Sequence, residues 1–292
     1  MPCTFVAALI MIYALWPEPQ VAMAPPLPSP NGYDDFMKAG AMLAALSYDY
    51  SKMPVEELKA CLSTNQEPLR LVRLGLTREC QVPTEDSADY IRGHLPDLMN
   101  IKLVAQLISA EGKLAEMEGR FADAARSHLD NVRYGPASAN GGLIIDKLVG
   151  IAVEIHIGIV GLENVADKLD AREIREIIGT LEESDARSTP ASVFLARDRQ
   201  WSRKAERWME KLQAMWAAKT FFYAKQSEQR FSARIQNSDL RRRQLLLNLA
   251  ARAYELEHGK KPVRAEDLVP SVLRTLPKDP ETGTNLVLNP VP

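Results

Sequence analysis

Cysteine is scarce in this chain of 292 residues, and its three copies, Cys3, Cys61 and Cys80, never fall at C-x-x-C spacing. That excludes a structural zinc site built on paired thiolates. The four histidines, His94, His128, His156 and His258, are as scattered. None belongs to H-E-x-x-H and none has a second His or Cys at metal-ligand spacing, so neither a metal nor a cofactor is expected. The chain also lacks a G-x-S-x-G elbow, a phosphate-binding loop and a dinucleotide fingerprint, which removes the commonest signatures of hydrolases and nucleotide enzymes. Apolar runs are short: none reaches the roughly 20 residues of a bilayer-spanning helix. A net charge of −2 commits the chain as a whole to no strongly charged partner.

The N-terminus lacks basic residues, the first being Lys38. Phe5 to Trp16 is nevertheless an apolar run closed by Pro17, with the length of a signal-peptide core, and Ala22-Met23-Ala24 matches a small-x-small cleavage pattern. Residues 1–24 are therefore read as an apolar leader, a signal peptide or an anchor, which places the chain outside the cytoplasm or tethers it to the cell envelope. The alternative is a short N-terminal helix on a cytoplasmic protein. Residues 25–30 end a proline-rich linker that begins at Pro17. In an oxidising compartment Cys61 and Cys80 could form a disulfide, worth roughly 3 kcal/mol for such a loop; two unrelated buried thiols are the other reading.

Strand-like alternation is missing until the C-terminus, and residues 31–258 carry apolar residues at a helical period. Asn31 caps a helix through Leu46, Pro54 opens a second with Glu56 and Glu57 in its first turn, and Glu67-Pro68 starts a third ending near Gly75. Thr84 to His94 is read as a separate helix. Leu98 to Glu118 and Arg120 to Tyr134 form a hairpin, broken at Gly119 and stopped by Gly135-Pro136. Gly141 to Glu163 is the greasiest helix, and Asp146, Lys147, Glu154 and His156 argue against reading it as a membrane span. Asp170 and Glu173 form a capping box. That helix ends in the acidic run Glu182-Glu183-Ser184-Asp185, and the pairs Glu56-Glu57 and Glu182-Glu183 sit where solvated helix termini would put them.

Glycine and proline are both missing for more than forty residues after Pro190. There Trp201, Ala205, Trp208, Leu212 and Met215 mark one face of a long helix, thickened by Trp216, Phe221, Phe222 and Tyr223. A second helix from Leu240 to His258, re-capped at Asn237-Ser238-Asp239, ends at Gly259. Between Arg197 and Arg243 thirteen Lys/Arg stand against five Asp/Glu, so this spine is a local cation in an otherwise acidic chain. Arg203-Glu206 and Arg207-Glu210 pair on one face. Lys219, Lys225, Arg230, Arg234, Arg241, Arg242 and Arg243 lack such neighbours and are the candidate anion- or partner-binding residues. The fold class is all-α: helical hairpins bundled around one long helix, with a small irregular appendage at 259–292.

Two stretches resemble known families. Gly119-Arg120-Phe121-Ala122-Asp123-Ala124-Ala125 resembles the turn of a tetratricopeptide hairpin, which implies an aromatic and an alanine packed between two helices. Tyr254, Gly259-Lys260-Lys261-Pro262, Leu276-Pro277 and Asp279-Pro280 before Thr282-Gly283 are similar, in order, to the tail of type II secretion pseudopilins. A similar tail closes many helical envelope proteins of bacteria, and the whole chain resembles one of those. In pseudopilins this loop can hold calcium; here Asp279, Glu281 and Asn285 are too few oxygens for it, and a structural turn is favoured. Asn285 to Leu288 is expected as a short strand, and His128 as a surface histidine. The function expected is non-catalytic, binding another protein or an anionic lipid or polymer surface. A cytoplasmic adaptor holding nucleic acid or another polyanion on the 219–243 face, and a hydrolase of unrecognised type, are the alternatives.

Overall fold

The computed structural model describes residues 26–43, 50–87, 89–205 and 219–288. The leader, its cleavage pattern, and Trp208, Leu212, Met215 and Trp216 lie outside the described residues, as do the side chains of residues 204–225. Among the described residues the protein is all-α, with no strand and one isolated bridge.

α1, Gly32–Ala41, starts at Asn31, whose Oδ1 accepts from the Tyr33 and Gln81 amides at 3.1 and 3.0 Å. The Asn31 amide in turn donates to Gln81 O at 2.8 Å, so one side chain both caps the helix and ties it to a distant segment. α2 is Val55–Thr64 and α3 is Gln66–Leu76. α4, Tyr90–Met117, and α5, Phe121–Ala139, form the hairpin, with Gly119 at φ +73° turning the chain. α6 begins at Ile144–Ile151, widens into a π-helical segment at Ala152–Ile159 and closes with Val160–Val165. α7, Ala171–Ala186, carries the expected capping box: Asp170 accepts from Glu173 N at 2.8 Å and Glu173 from Asp170 N at 2.9 Å. α8 is Ala191–Ala205, and α9, Lys219–His258, runs 40 residues to Gly259 at φ +67°.

Three expected boundaries are overridden by tertiary contacts. Thr84–His94 is not a separate helix: α4 starts at Tyr90 and continues through Pro96. The amide hydrogen bond that Pro96 removes is offset by anchors around it. The Tyr90 hydroxyl donates to Pro83 O, and the Tyr90 ring stacks on His94. Gly135-Pro136 does not stop α5, because Gly135 serves packing rather than capping. It meets Gly150 of α6 backbone to backbone, and a Cβ on Gly150 would lie 2.5 Å from the Gly135 carbonyl oxygen. Asn237-Ser238-Asp239 does not interrupt α9 either. Ser238 is buried and bonds back to Ile235 O, while Asp239 accepts from Arg242 and Ser188, so neither side chain is free to cap.

The most extensive packing joins α4 to α5, α5 to α6, α7 to α9 and α1 to α3. Buried apolar residues form two clusters. One holds Tyr33, Phe36, Leu58, Val72, Ile101 and Leu107; the other holds Ile159, Leu162, Ile174, Leu181, Leu249 and Ala250. α5 and α6 feed both: Tyr134 and Val153 face the first cluster, and Val132 and Ile155 the second. Beyond α9 a 3-10 turn at Ala265–Leu268 buries Leu268. Asn285–Leu288 is not a strand. Its opposite side offers Pro277 and Pro280, which have no amide to donate, and the pairing is confined to the Lys278–Asn285 bridge. Asp279 Oδ1 accepts from the Glu281 and Thr282 amides, an Asx turn that uses this oxygen locally.

Candidate functional site

Of the seven residues expected to form one basic face, five have described side chains, and three of these are committed to carboxylates of the same chain. Arg241 forms a forked pair with Glu163, 2.7 and 3.3 Å. Arg243 donates to Asp185 at 2.9 Å and to Lys278 O at 2.7 Å, stitching the C-terminal segment to α7 and α9. Arg242 is buried: it holds Glu154 at 2.5 Å, Asp239 at 2.5 Å and Asp185 at 3.1 Å. The arginine triplet is therefore committed to partners within the chain, with Arg242 buried and Arg241 on the surface. Arg230 and Arg234 are exposed and have no ion-pair partner among the described residues. Lys219 and Lys225 have no described side chain.

Glu154 reaches Arg242 from the π-helical segment of α6. It is fully buried, whereas His156 two residues on is exposed, the divergence that helical spacing requires. Two turns earlier, Asp146 and Lys147 are buried as well. Asp146 Oδ2 accepts from Leu143 N at 2.7 Å, and its Oδ1 lies 2.7 Å from His94 Nε2. The other ring nitrogen of His94 is 3.2 Å from Asp97. Both nitrogens thus face carboxylate oxygens, which only the protonated ring can satisfy. Burial alone would push the imidazole pKa down; the two carboxylates outweigh it and hold it above the ordinary value. His94 is a clasp between α4 and α6.

His128 is buried rather than on the surface. Its ring lies against Gly112 and Gly161, where an added Cβ on either would collide with it, and Nε2 lies 2.8 Å from Glu116. Cys61 and Cys80 are free thiols. Cys80 Sγ sits 3.5 Å from both Gly75 O and Arg78 O, and burial, with Asp35 and Glu79 nearby, pushes its thiol up to about 12. Trp201 serves packing: its indole donates to Glu85 O at 2.8 Å and its ring leans on Tyr90.

Among the described residues, one concavity of about 730 Å³ is an open groove between the α2–α3 and α4–α5 hairpins. Leu62, Leu69 and Leu114 form its apolar base, and Lys59, Arg73, Arg120, Arg126 and Arg133 outnumber Glu111, Asp123 and Asp130 along its walls. These charges are held in place. Arg73 bonds Glu111 and, at 3.1 Å, Asp130; Arg120 and Arg126 share Asp123; Lys59 lies 3.1 Å from Glu118. The second, about 560 Å³, lies where α5, α6, α7, α8 and α9 meet, with Lys147 and Arg242 its most buried cations. Sequence reading missed Lys147, and the signal it left was a charge inside the most apolar helix.

No protein-family model matches the chain, and no curated protein or solved structure matches it. Among the described residues no group of His, Cys, Asp and Glu is placed to hold a metal ion, and no helix is long and apolar enough to cross a membrane.

Proposed function

We propose that this protein is a non-catalytic helical interaction module, tethered to or exported into the cell envelope, whose groove between α2–α3 and α4–α5 receives an acidic segment of another protein. The observation that carries the reading is the groove itself: an apolar base walled by an excess of arginine and lysine already fixed in geometry by their own ion pairs. Pre-ordered charges lose less side-chain entropy on binding, and an apolar base supplies the area that charge alone does not. The tetratricopeptide-like turn at Gly119–Ala125 fits the same reading, since Arg120 and Asp123 lie both in that turn and on the groove wall. The apolar leader and proline-rich linker support the envelope tether, and the pseudopilin-like tail agrees with it.

The test is fluorescence polarisation of the full chain with labelled peptides, one rich in Leu, Asp and Glu and one with Lys in place of the acids. The acidic peptide should bind, weaken steeply with salt, and lose at least about tenfold in affinity with the Arg120→Glu/Arg126→Glu variant. Equal affinity for both peptides, or an indifferent variant, would sink the groove reading. The tether is tested separately by fractionation with N-terminal sequencing, where an intact Met1 in the cytosolic fraction counts against it. The polyanion alternative now depends on Arg230 and Arg234, the described members of the basic face that remain unpaired, and their double reversal to Glu should leave the peptide affinity unchanged.

A further inference from the structure

The cavity of about 560 Å³ contains a charge without a partner. Lys147 is only 6% exposed, yet its ammonium makes no hydrogen bond or ion pair among the described residues. Its one close partner is the Phe194 ring, 5.6 Å from nitrogen to ring centroid. A largely buried ammonium with no carboxylate in hydrogen-bond reach is costly, and cation–π attraction offsets only a fraction of that cost. Burial pushes the Lys147 pKa down; Glu154 pulls it back up and Arg242 adds to the depression.

The surroundings specify what would complete the site. Arg242 is already neutralised by Glu154, Asp185 and Asp239. Arg78 is held by Asp35 at 2.6 Å, and the cavity's two carboxylates, Glu79 and Glu183, are exposed. Arg133 and Arg187, at the exposed rim, lie 3.9 and 3.7 Å from Asp130 and Glu183, so Lys147 is the buried cavity cation without an ion pair among the described residues. Pro136, Ala137 and Phe194 supply apolar wall, and the Ser184 and Thr189 hydroxyls line the same space. The volume falls within the range of small-molecule sites. A doubly charged phosphate would need a second uncommitted cation at depth, and none is present among the described residues.

We infer that this cavity binds a small organic monocarboxylate, with the carboxylate on Lys147 Nζ and the apolar body against Phe194 and Pro136. The inference is independent of the groove, which shares only the rim residue Arg133 with it.

The experiment is isothermal titration of the full chain with sodium benzoate and sodium hexanoate, with benzamide as the uncharged control and inorganic phosphate as the rival anion. Saturable one-to-one binding of at least one carboxylate is expected, with benzamide at least about tenfold weaker than benzoate. Lys147→Met keeps an unbranched side chain one atom shorter, removes the buried charge and should abolish carboxylate binding while the protein stays folded. The benzoate–benzamide comparison needs no variant and stands if Lys147→Met fails to fold. The inference is overturned if neither carboxylate binds, if benzamide matches benzoate, if phosphate binds more tightly than either carboxylate, or if folded Lys147→Met binds as the wild type does.

Discussion

Arg242 carries the heaviest electrostatic responsibility of any side chain described. With both terminal nitrogens committed to Glu154, Asp239 and Asp185, its removal leaves three carboxylates facing one another, one of them fully buried. Arg242→Ala should cost about 3–5 kcal/mol in urea denaturation, the usual price of breaking a buried pair by removing one partner; a loss under about 1 kcal/mol would show the network to be dispensable. Charge reversal of the whole Arg241–Arg243 triplet should unfold the protein, so it is no probe of a binding face. His94 sets a pH dependence of definite sign. Its folded pKa is raised, so its stabilising contribution is complete below the ordinary histidine value of about 6.5 and disappears as pH rises through the folded value. His94→Gln should therefore lose more stability at pH 5.5 than at pH 9, measured by denaturant midpoints; a loss independent of pH would mean that the clasp works through neutral hydrogen bonds alone.

At the scale of elements, two glycines in helices ask for opposite outcomes. Gly150 lies at the α5–α6 crossing, where a methyl group would collide with the Gly135 backbone and the Ala139 side chain. Gly179, within α7, has nothing within 4 Å of its would-be Cβ. Gly150→Ala should destabilise by about 1–3 kcal/mol through overpacking. Gly179→Ala should stabilise by about 0.5–1 kcal/mol through helix propensity. Thermal melts of the two variants check this, and the same sign for both would refute the close-approach account. The three helix boundaries misread from sequence share one cause. Each local breaker sits beside a residue held by a partner 15 or more positions away: Gly135 meets Gly150, His94 just before Pro96 is held by Asp146, and Asp239 accepts from Ser188. Propensity describes the chain alone and loses wherever such contacts are made.

The whole molecule has two apolar clusters and one shared wall. Because α5 and α6 place side chains in both, neither cluster can lose its packing without exposing the other. Unfolding should therefore be one transition. Leu58→Ala in the first cluster and Leu249→Ala in the second should each lower a common midpoint, by about 2–5 kcal/mol in stability. Helicity followed by circular dichroism and tryptophan fluorescence should coincide; separated transitions would divide the chain into independent units.

The helical class, most helix starts, the α4–α5 turn at Gly119 and the stop at Gly259 were legible in residue order, because caps, turn glycines and apolar period act within a few positions of themselves. The groove was half legible, as a turn without its opposite wall on α2 and α3. Which basic residues stay free could not be read. Asp185 and Glu163 become arginine partners only when α6, α7 and α9 pack together. Lys147 is the extreme case. As a letter it interrupts a greasy helix; folded, it is a buried ammonium at the edge of a cavity, because five separate helices converge on it. Short-range chemistry decided where this chain is helical. Long-range packing alone decided which of its charges are neutralised and which still lack a partner.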